Sequence, residues 1–319
     1  MSLSVAVQMD PIEHVGIAGD STFALMLKGQ ALGHRLFHYL APDLTYEDGR
    51  VRALARPLTV QRVEGGHFTA GEPVTLDLGR DVDVVLMRQD PPFDIAYISA
   101  TYLLERIAAE TFVVNDPGAV RDAPEKLFVL DFAPFMPPTL ITRSLLELER
   151  FHGAHGEIVL KPLHGNAGAA VFRIDSGGTN LKALAELFLE TWPEPFIAQA
   201  FLPDVFNGDR RIILVDGEVA GAINRVPAKG EIRSNLAAGG RAEAVELSER
   251  EAEICAVLGP ELKRRGLLFV GIDVIGGMLT EINVTSPTGI VAMDAFNGSD
   301  TPGLIWQAIE RRLAARKAG

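Results

Sequence analysis

The chain has 319 residues, a net charge of -12 and 47% hydrophobic residues, so it is long enough for two domains with buried cores. The acidic balance argues against a nucleic-acid partner, and no stretch approaches the ~20 apolar residues of a membrane helix. The single cysteine, Cys255, excludes an internal disulfide and a cysteine metal cluster. Because the N-terminus also lacks a signal-peptide pattern, we expect a cytoplasmic protein.

The first 120 residues alternate between strand-like and helix-like segments. A helix capped by Ser21 follows the first strand, and a second helical stripe begins at Ala100. The predicted strands are Leu3–Met9, Arg35–Leu40, Val82–Met87 and Phe112–Asn115. This alternation predicts an open α/β domain with a mostly parallel sheet.

A proline-rich break near Arg121–Pro138 separates this domain from the rest. Beyond it, the sequence predicts two helices, two strands and a glycine loop: Ser144–Ala154, Glu157–Lys161, Gly165–Gly168, Asn180–Thr191 and Phe196–Ala200.

The last third of the chain reads as hairpins. Asp216-Gly217 suits a tight turn between two strands, because both residues tolerate a positive φ angle. Residues 227–240 are polar and glycine-rich and predict a mobile loop. Ser248 and Glu251 form a capping box that opens a helix ending at Gly266.

The final hairpin carries the most informative polar residues. Asp273 interrupts one apolar strand, and Glu281 and Asn283 lie two apart on its partner and so share a face. A three-residue loop, 276–278, would place Asp273 opposite Glu281, whereas a two-residue Gly-Gly turn would place them on opposite faces. We expect the longer loop, and hence three oxygen ligands suited to magnesium. The alternative is an ordinary polar, solvent-facing side of an edge hairpin.

Basic residues provide candidate phosphate ligands. Lys161 ends an apolar strand beside the glycine loop, where backbone N–H groups and an ammonium could surround a phosphate. Lys126, Arg210, Arg211 and Arg225 could reach the same phosphates. The alternative for each of these residues, taken alone, is an ordinary surface charge. His164 and Cys255 are interpreted as a loop residue and a buried core side chain.

Several long strings together resemble bacterial glutathione synthetase. They are Met87–Asp94, Glu125–Phe128, Lys161–Gly165, Asn235–Arg241 and Thr280–Thr288. The resemblance runs from about Val5 to Arg312 and implies an N-terminal α/β domain, residues 1–123, followed by an α+β ATP-grasp domain, residues 124–319. The latter would divide into a lobe at about 124–203 and a catalytic lobe at about 204–319, with ATP held between them.

The resemblance also implies roles for individual residues. ATP would be held by Lys126, Lys161, Gly165, Asn166, Gly168, Gln199, Ala200, Phe201, Leu202 and Asp209. Asp273, Glu281 and Asn283 would ligate Mg²⁺, with Mn²⁺ as a possible substitute, and Arg211 and Arg225 would be catalytic. The substrates γ-glutamylcysteine and glycine would lie near Arg88, Arg233, Asn235, Arg241, Ser286 and Thr288.

The implied reaction is the ATP-dependent joining of γ-glutamylcysteine and glycine to give glutathione, ADP and phosphate through an acyl phosphate. A homotetramer is implied as well, with the apolar helices of the first domain as candidates for its interface. Ala167 stands where the family usually has glycine, and Val291-Ala292 where an arginine and a glutamate are usual. The alternatives are a related ATP-grasp ligase with another substrate and a non-catalytic nucleotide-binding copy. A dinucleotide dehydrogenase is excluded, because Met9–Ile12 replaces the glycine-rich turn it would need.

Overall fold

The computed structural model describes residues 2–165, 168–236 and 239–318, which form three successive sheets. The first sheet contains β1 (Ser4–Gln8), β2 (Arg35–Tyr39), β3 (Leu44–Glu47), β4 (Arg50–Val60), β5 (Phe68–Ala70), β6 (Val74–Asp77), β7 (Val84–Met87) and β8 (Phe112–Val114). The second contains β9 (Thr139–Thr142), β10 (Ile158–Pro162), β11 (Phe172–Ile174) and β12 (Phe196–Ala200). The third contains β13 (Asp209–Val215), β14 (Glu218–Val226), β15 (Arg241–Ala244), β16 (Phe269–Ile275) and β17 (Met278–Asn283).

Helices join and cover these sheets. They are α1 (Ser21–Ala31), α2 (Ile95–Glu105), α3 (Pro117–Arg121), α4 (Leu145–His155), α5 (Leu181–Thr191), α6 (Glu249–Arg265), α7 (Ile290–Asn297) and α8 (Thr301–Ala318). Within the described part of the chain, none of these helices combines the length and the apolar character needed to cross a bilayer.

The first sheet is only half parallel, so the expectation of a mostly parallel sheet is wrong. Strands β2, β1, β7 and β8 pair in parallel, but β4 pairs antiparallel with β2, β3, β5 and β6. Asp48 and Gly49 turn the chain between β3 and β4 with φ angles of 49° and 80°. The sequence carries this Asp-Gly hairpin signal as plainly as the one at residues 216–217.

The cap of α1 also differs from the prediction. Asp20, not Ser21, is the N-cap, since its carboxylate accepts a hydrogen bond of 2.6 Å from the Phe23 N–H. Aspartate and serine are both strong N-cap residues, so their order along the chain could not decide between them. The capping box of α6 at Ser248 and Glu251 and its left-handed end at Gly266 are confirmed.

The hairpin β16–β17 places its polar residues by an unexpected route. Ile275 pairs with Met278, so the connection is the two-residue Gly276-Gly277 turn and the predicted three-residue loop is wrong. A bulge beyond Val274 then adds one residue to β17, and Asp273 consequently pairs with Glu281. The extra residue, Thr280, donates a hydrogen bond of 3.1 Å from its hydroxyl to the Asp273 carbonyl. The carboxylates therefore share a face.

Packing ties the third sheet to the first, whereas the second sheet has its own core. Buried residues of β1, α1 and α8 form one cluster with Ile213 and Ile223 of the third sheet. The core of the second sheet is a separate cluster built around Leu148, Ile158 and Phe188. The predicted domain boundaries at residues 123/124 and 203/204 fall between the sheets. They remain predictions, because hydrophobic clusters contain residues from both sides of the first boundary.

The turn that joins β13 to β14 packs against α6, with Gly217 of the turn in contact with Gly259 of the helix. A Cβ atom at Gly217 would lie 2.5 Å from the Gly259 carbonyl oxygen, and one at Gly259 would lie still closer to the Gly217 carbonyl oxygen. We expect Gly259→Ala to lower the free energy of unfolding by about 3 kcal/mol, because backbone atoms cannot move aside cheaply. Gly153→Ala, in α4 with open space around it, should raise that free energy by up to about 1 kcal/mol. Chemical denaturation measures both, and a similar small effect for the two variants would contradict this packing.

Candidate active site

A cavity of about 360 Å³ lies between the second and third sheets, and the end of the first domain reaches its rim. Most of the residues predicted for the site line it together. These residues are Lys126, Lys161, Gly165, Gly168, Gln199, Ala200, Phe201, Leu202, Asp209, Arg211, Arg225, Arg233, Asn235, Asp273, Glu281, Asn283, Ser286 and Thr288. Asn166 and Ala167 lie outside the described residues.

Asp273 lies at the centre of the third sheet's polar face, clamped by two arginines. Arg211 donates to both carboxylate oxygens, from Nε at 2.6 Å and from Nη2 at 2.9 Å. Arg225 Nη2 lies 2.9 Å from Oδ1. Burial raises the pKa of Asp273, but Arg211 and then Arg225 outweigh burial and hold that pKa well below its usual range. The two arginines therefore favour the ionised form of Asp273.

Glu281 faces the same cavity and is paired with both lysines. Its Oε1 lies 3.3 Å from Lys161 Nζ and 3.7 Å from Lys126 Nζ. Burial raises the pKa of Glu281, but Lys126 and Lys161 reverse this and lower it. The two lysines and the two arginines thus converge on the carboxylates of the hairpin. None of the four is the ordinary surface charge that the sequence left open as an alternative.

Glu125 is a site residue that the sequence did not single out. Its carboxylate forms an ion pair with Lys126, and its carbonyl oxygen accepts a hydrogen bond of 3.1 Å from the Ile282 N–H. Burial and the nearby Glu281 raise the pKa of Glu125. Lys126 also donates to the Gly165 carbonyl at 2.6 Å, which fixes the base of the glycine loop. Glu125 belongs to the Glu125–Phe128 string, but only Lys126 of that string was predicted to have a role in the site.

Comparison with known proteins shows which family this site belongs to. The family models for the prokaryotic glutathione synthetase N-terminal domain and ATP-grasp domain match residues 3–121 and 125–298. The chain belongs to this family. It is 57% identical to glutathione synthetase of Rhodopseudomonas palustris, over 98% of this chain and 100% of that relative. It is 53% identical to glutathione synthetase of Agrobacterium fabrum, over 98% of each chain. The chain is therefore an ATP-dependent ligase of the glutathione synthetase family.

Solved structures support the fold assignment. The crystal structure of D-cycloserine synthetase matches with a TM-score of 0.70 over 97% of this chain and 99% of that one, at 17% identity. An ATP-grasp ligase solved with a minimal precursor matches with a TM-score of 0.62 over 99% of both chains, at 19% identity. At such identities the likeness concerns the fold, which is an α/β domain followed by two ATP-grasp lobes.

The donor set on the hairpin fits a hard divalent cation. Asp273 and Glu281 are directly paired, and Asn283 lies two residues further along the same face, with its Nδ2 3.4 Å from Asp273 Oδ2. No described group of three or more His, Cys, Asp or Glu side chains is placed to hold a metal ion. Two carboxylates and one amide oxygen instead suit Mg²⁺, which commonly takes its other ligands from phosphates and water.

The strand end predicted for the adenine ring lies along the opposite wall of the cavity. Gln199 is 4% exposed and donates through Nε2 to Thr139 Oγ1 at 3.1 Å, so its side chain is structural. The N–H groups of Ala200 and Phe201 already donate to the carbonyls of Pro138 and Glu157. A base edge would therefore have to meet other backbone groups of residues 199–202.

Asp209 is a buried carboxylate at the start of β13, the central strand of the third sheet. It pairs with Arg225, and its Oδ2 accepts a hydrogen bond of 2.7 Å from the Ser234 hydroxyl. Its Oδ1 is buried without a hydrogen-bond partner among the described residues. Burial raises the pKa of Asp209 to about 6, an effect that Arg225 offsets only partly. The atom left over is an acceptor available to a ligand hydroxyl group.

This raised pKa has a measurable consequence for stability. A folded-state pKa of about 6 against an ordinary value of 3.8 means that the native protein binds the proton more tightly than the unfolded chain. Raising the pH through that window should therefore destabilise the wild type relative to Asp209→Asn, by up to about 3 kcal/mol between pH 4 and pH 7. Urea denaturation of both proteins across this range provides the test. If the difference in free energy of unfolding between the two proteins does not change with pH, the pKa of Asp209 is not raised.

Two loops face one another across the mouth of the cavity. A Cβ atom on Gly168, whose φ is 75°, would lie 3.0 Å from Asn235 Oδ1 and 3.4 Å from Arg233 Cδ. The glycine loop thus meets the 227–240 loop at the residues predicted for substrate and phosphate. Ala237 and Ala238 of the second loop lie outside the described residues.

Two predicted substrate residues do not line the cavity. Arg241 begins β15, and its 72% exposed side chain pairs with Glu243 at 2.6 Å. Arg88 is buried behind the cavity wall, where its Nη2 donates to the Pro287 carbonyl at 2.9 Å.

Two further sequence interpretations concern packing. Val291 and Ala292 pack in α7 against the core shared by the first and third sheets, so apolar contacts occupy the positions where the resemblance implies an arginine and a glutamate. Cys255 is 3% exposed, and burial raises its pKa to about 12, which fits a core residue rather than a nucleophile.

Proposed function

We propose that the chain ligates γ-glutamylcysteine to glycine by transferring the γ-phosphoryl group of ATP to the carboxylate, giving an acyl phosphate that the glycine amine attacks. The observation that carries this proposal is the convergence of Arg211, Arg225, Lys126 and Lys161 on one cavity face that also bears the paired carboxylates. Such a face can hold a triphosphate and neutralise charge on a transferred phosphoryl group.

The chemistry requires activation, because a free carboxylate has no good leaving group. Phosphorylation supplies one, and phosphate then departs when the amine attacks. Arg211 and Arg225 are held in fixed orientations by Asp273, so their remaining N–H groups are directed before the substrate arrives. Preorganised donors of this kind stabilise the transition state without reorganising during the reaction.

Asp273, Glu281 and Asn283 would hold Mg²⁺, or Mn²⁺ in its place, and the ion would supply positive charge that neutralises the phosphates. Lys126 and Lys161 are counterions of Glu281. We infer that Lys161 turns from Glu281 to the phosphates on nucleotide binding, while Lys126, held by Glu125 and the Gly165 carbonyl, contacts them from its present position.

The remaining predicted residues are assigned to the two ends of the ligand. Residues 199–202 and Asp209 would contact adenine and ribose. Ser286, Thr288, Arg233 and Asn235 lie at the cavity and would contact the peptide and glycine. Arg88 supports this region from behind, and Arg241 would reach it only if the 227–240 loop moved.

Water must be kept from the acyl phosphate, which would otherwise hydrolyse. The glycine loop and the 227–240 loop already meet at Gly168, Arg233 and Asn235. We infer that together they cover the reacting groups during turnover.

The assay that tests this function is ADP release with ATP and Mg²⁺, with γ-glutamylcysteine and glycine supplied separately and together. The proposal requires ADP release that depends on both substrates and yields glutathione. Nucleotide binding without such release would overturn it and favour an ATP-grasp ligase for another substrate or a non-catalytic copy.

We further propose that the chain acts in the cytoplasm as a homotetramer. Support comes from the resemblance and from the outer side of α2, where Ile95 is 76% exposed and Tyr102, seven residues on, is 53% exposed. A subunit contact on this side of α2 would cover both apolar side chains. Light scattering on the purified protein distinguishes a tetramer from a monomer.

A further inference from the structure

Asn115 of the first domain makes three hydrogen bonds to the hairpin that carries the proposed metal ligands. Its Oδ1 accepts from the Phe269 N–H at 2.8 Å, and its Nδ2 donates to the carbonyls of Phe269 at 2.8 Å and Val284 at 2.7 Å. The side chain is 3% exposed, so water cannot replace these bonds. One amide thus satisfies backbone groups on both strands of the hairpin.

The hydrogen bonds of Asn115 lie at the end of the hairpin opposite its turn. Gly271 pairs with Asn283, so Phe269 and Val284 lie at the open end of the hairpin, where the strands diverge. Asn115 bridges that end as an additional rung. Val284 directly follows Asn283, and Phe269 lies four residues before Asp273. The amide therefore fixes the separation of the two strands next to Asn283, one of the three proposed ligands.

Arg88 holds the same segment from its other side. It donates to the Pro287 carbonyl at 2.9 Å, and its own carbonyl accepts a hydrogen bond of 3.3 Å from the Ser286 hydroxyl. Its guanidinium also lies over the Phe269 ring, 5.0 Å from the ring centroid. Asn115 and Arg88 of the first domain thus hydrogen-bond the two ends of segment 284–287. They also contact Phe269, Asn115 at the backbone of that residue and Arg88 at its ring.

We propose that Asn115 is a positioning residue for the metal-binding hairpin, acting from the first domain and touching neither nucleotide nor metal. The inference rests on the proposed function, because it assigns Asp273, Glu281 and Asn283 as the metal ligands. Groups that hydrogen-bond metal ligands directly commonly contribute 10- to 100-fold to metal affinity, and Asn115 acts one step further out, on the strands that carry the ligands, so we take the lower end of that range. Loss of the Asn115 rung frees the strands to separate, which moves Asn283 relative to Asp273.

The test is Mn²⁺ binding to the full-length protein in the presence of ADP, measured by electron paramagnetic resonance of the free ion. Asn115→Ala is expected to raise the Mn²⁺ dissociation constant by about tenfold or more. Asn115→Ser, which keeps one donor and one acceptor, is measured in the same way if the alanine variant does not fold. Hydrogen exchange at the Phe269 amide should accelerate in the variant that is used.

Thr111→Val is the matched control for general destabilisation. Thr111 is fully buried, and its hydroxyl donates to the Leu78 and Val82 carbonyls within the first sheet, without contact with the hairpin. This variant should lower the melting temperature but change the Mn²⁺ dissociation constant by less than about twofold. Unchanged Mn²⁺ binding in the Asn115 variants, or equal weakening in Thr111→Val, overturns the proposal. Absence of ADP-dependent Mn²⁺ binding in the wild type would instead remove the metal site, and with it the proposed function.

Discussion

Asp273→Asn should cost both stability and activity, with the largest combined effect of any single change in the site. Asp273 neutralises Arg211 and Arg225, all three groups are at most 5% exposed, and an amide cannot balance two buried guanidinium charges. We expect the free energy of unfolding to fall by about 3 kcal/mol, a typical cost of breaking a buried ion pair from one side. Turnover should fall by at least about 100-fold, because a proposed metal ligand and the clamp on the two arginines proposed as catalytic are lost together.

Asp216→Asn is the appropriate control for this variant. Asp216 lies at the far end of the β13–β14 hairpin, is 9% exposed and pairs with Arg312 of α8. Its replacement should lower stability but leave turnover within about twofold of the wild type, since no site residue depends on it. Denaturation curves and steady-state rates for both variants separate the two effects. Full turnover in Asp273→Asn would contradict the assigned role.

Arg211→Lys should abolish most turnover although the charge is kept. The guanidinium contacts both oxygens of Asp273 and, through Nη1, the Thr288 carbonyl at 3.2 Å. A lysine ammonium cannot reproduce this fork, so the positive charge would no longer be held in the orientation that we propose for stabilising the phosphoryl group. We expect kcat to fall by about 100- to 1000-fold, with a smaller change in the KM for ATP.

The neighbouring residue provides the comparison for this prediction. Arg210 projects from the other face of the same strand, is about one-third exposed and lies 3.6 Å from Glu251. Arg210→Lys should therefore remain within about twofold of wild-type kcat. Steady-state kinetics on both variants decide the matter, and similar rates for the two would show that Arg211 does not act on the reacting group.

Much of the site could be predicted because its residues occur in long, ordered strings. The hairpin at Asp216-Gly217, the capping box at Ser248 and the shared face of Glu281 and Asn283 followed from local rules of turn and strand geometry. The pairing of Asp273 with Glu281 was correctly expected for an incorrect reason. A β-bulge at Thr280, not a longer loop, supplied the extra residue, and bulges leave little trace in a single sequence.

Other features depend on contacts between residues far apart in the chain. Glu125 becomes a site residue only because Ile282 and Lys126 place it beside Glu281. Asn115 gains its partners from residues more than 150 positions away. No local pattern identifies such side chains, since their role is created by contacts with the distant β16–β17 hairpin. The antiparallel strands around Asp48-Gly49, by contrast, carried a turn signal that could have been read.

The central claim is that this chain activates a carboxylate by phosphorylating it. The most direct measurement uses γ-glutamylcysteine labelled with ¹⁸O in both oxygens of the cysteinyl carboxylate, incubated with ATP, Mg²⁺ and glycine, followed by mass spectrometry of the phosphate released. An acyl phosphate transfers one labelled oxygen to phosphate and leaves the other in the new amide, so phosphate should carry one ¹⁸O atom per turnover. Unlabelled phosphate, or release of AMP and pyrophosphate, would contradict the account.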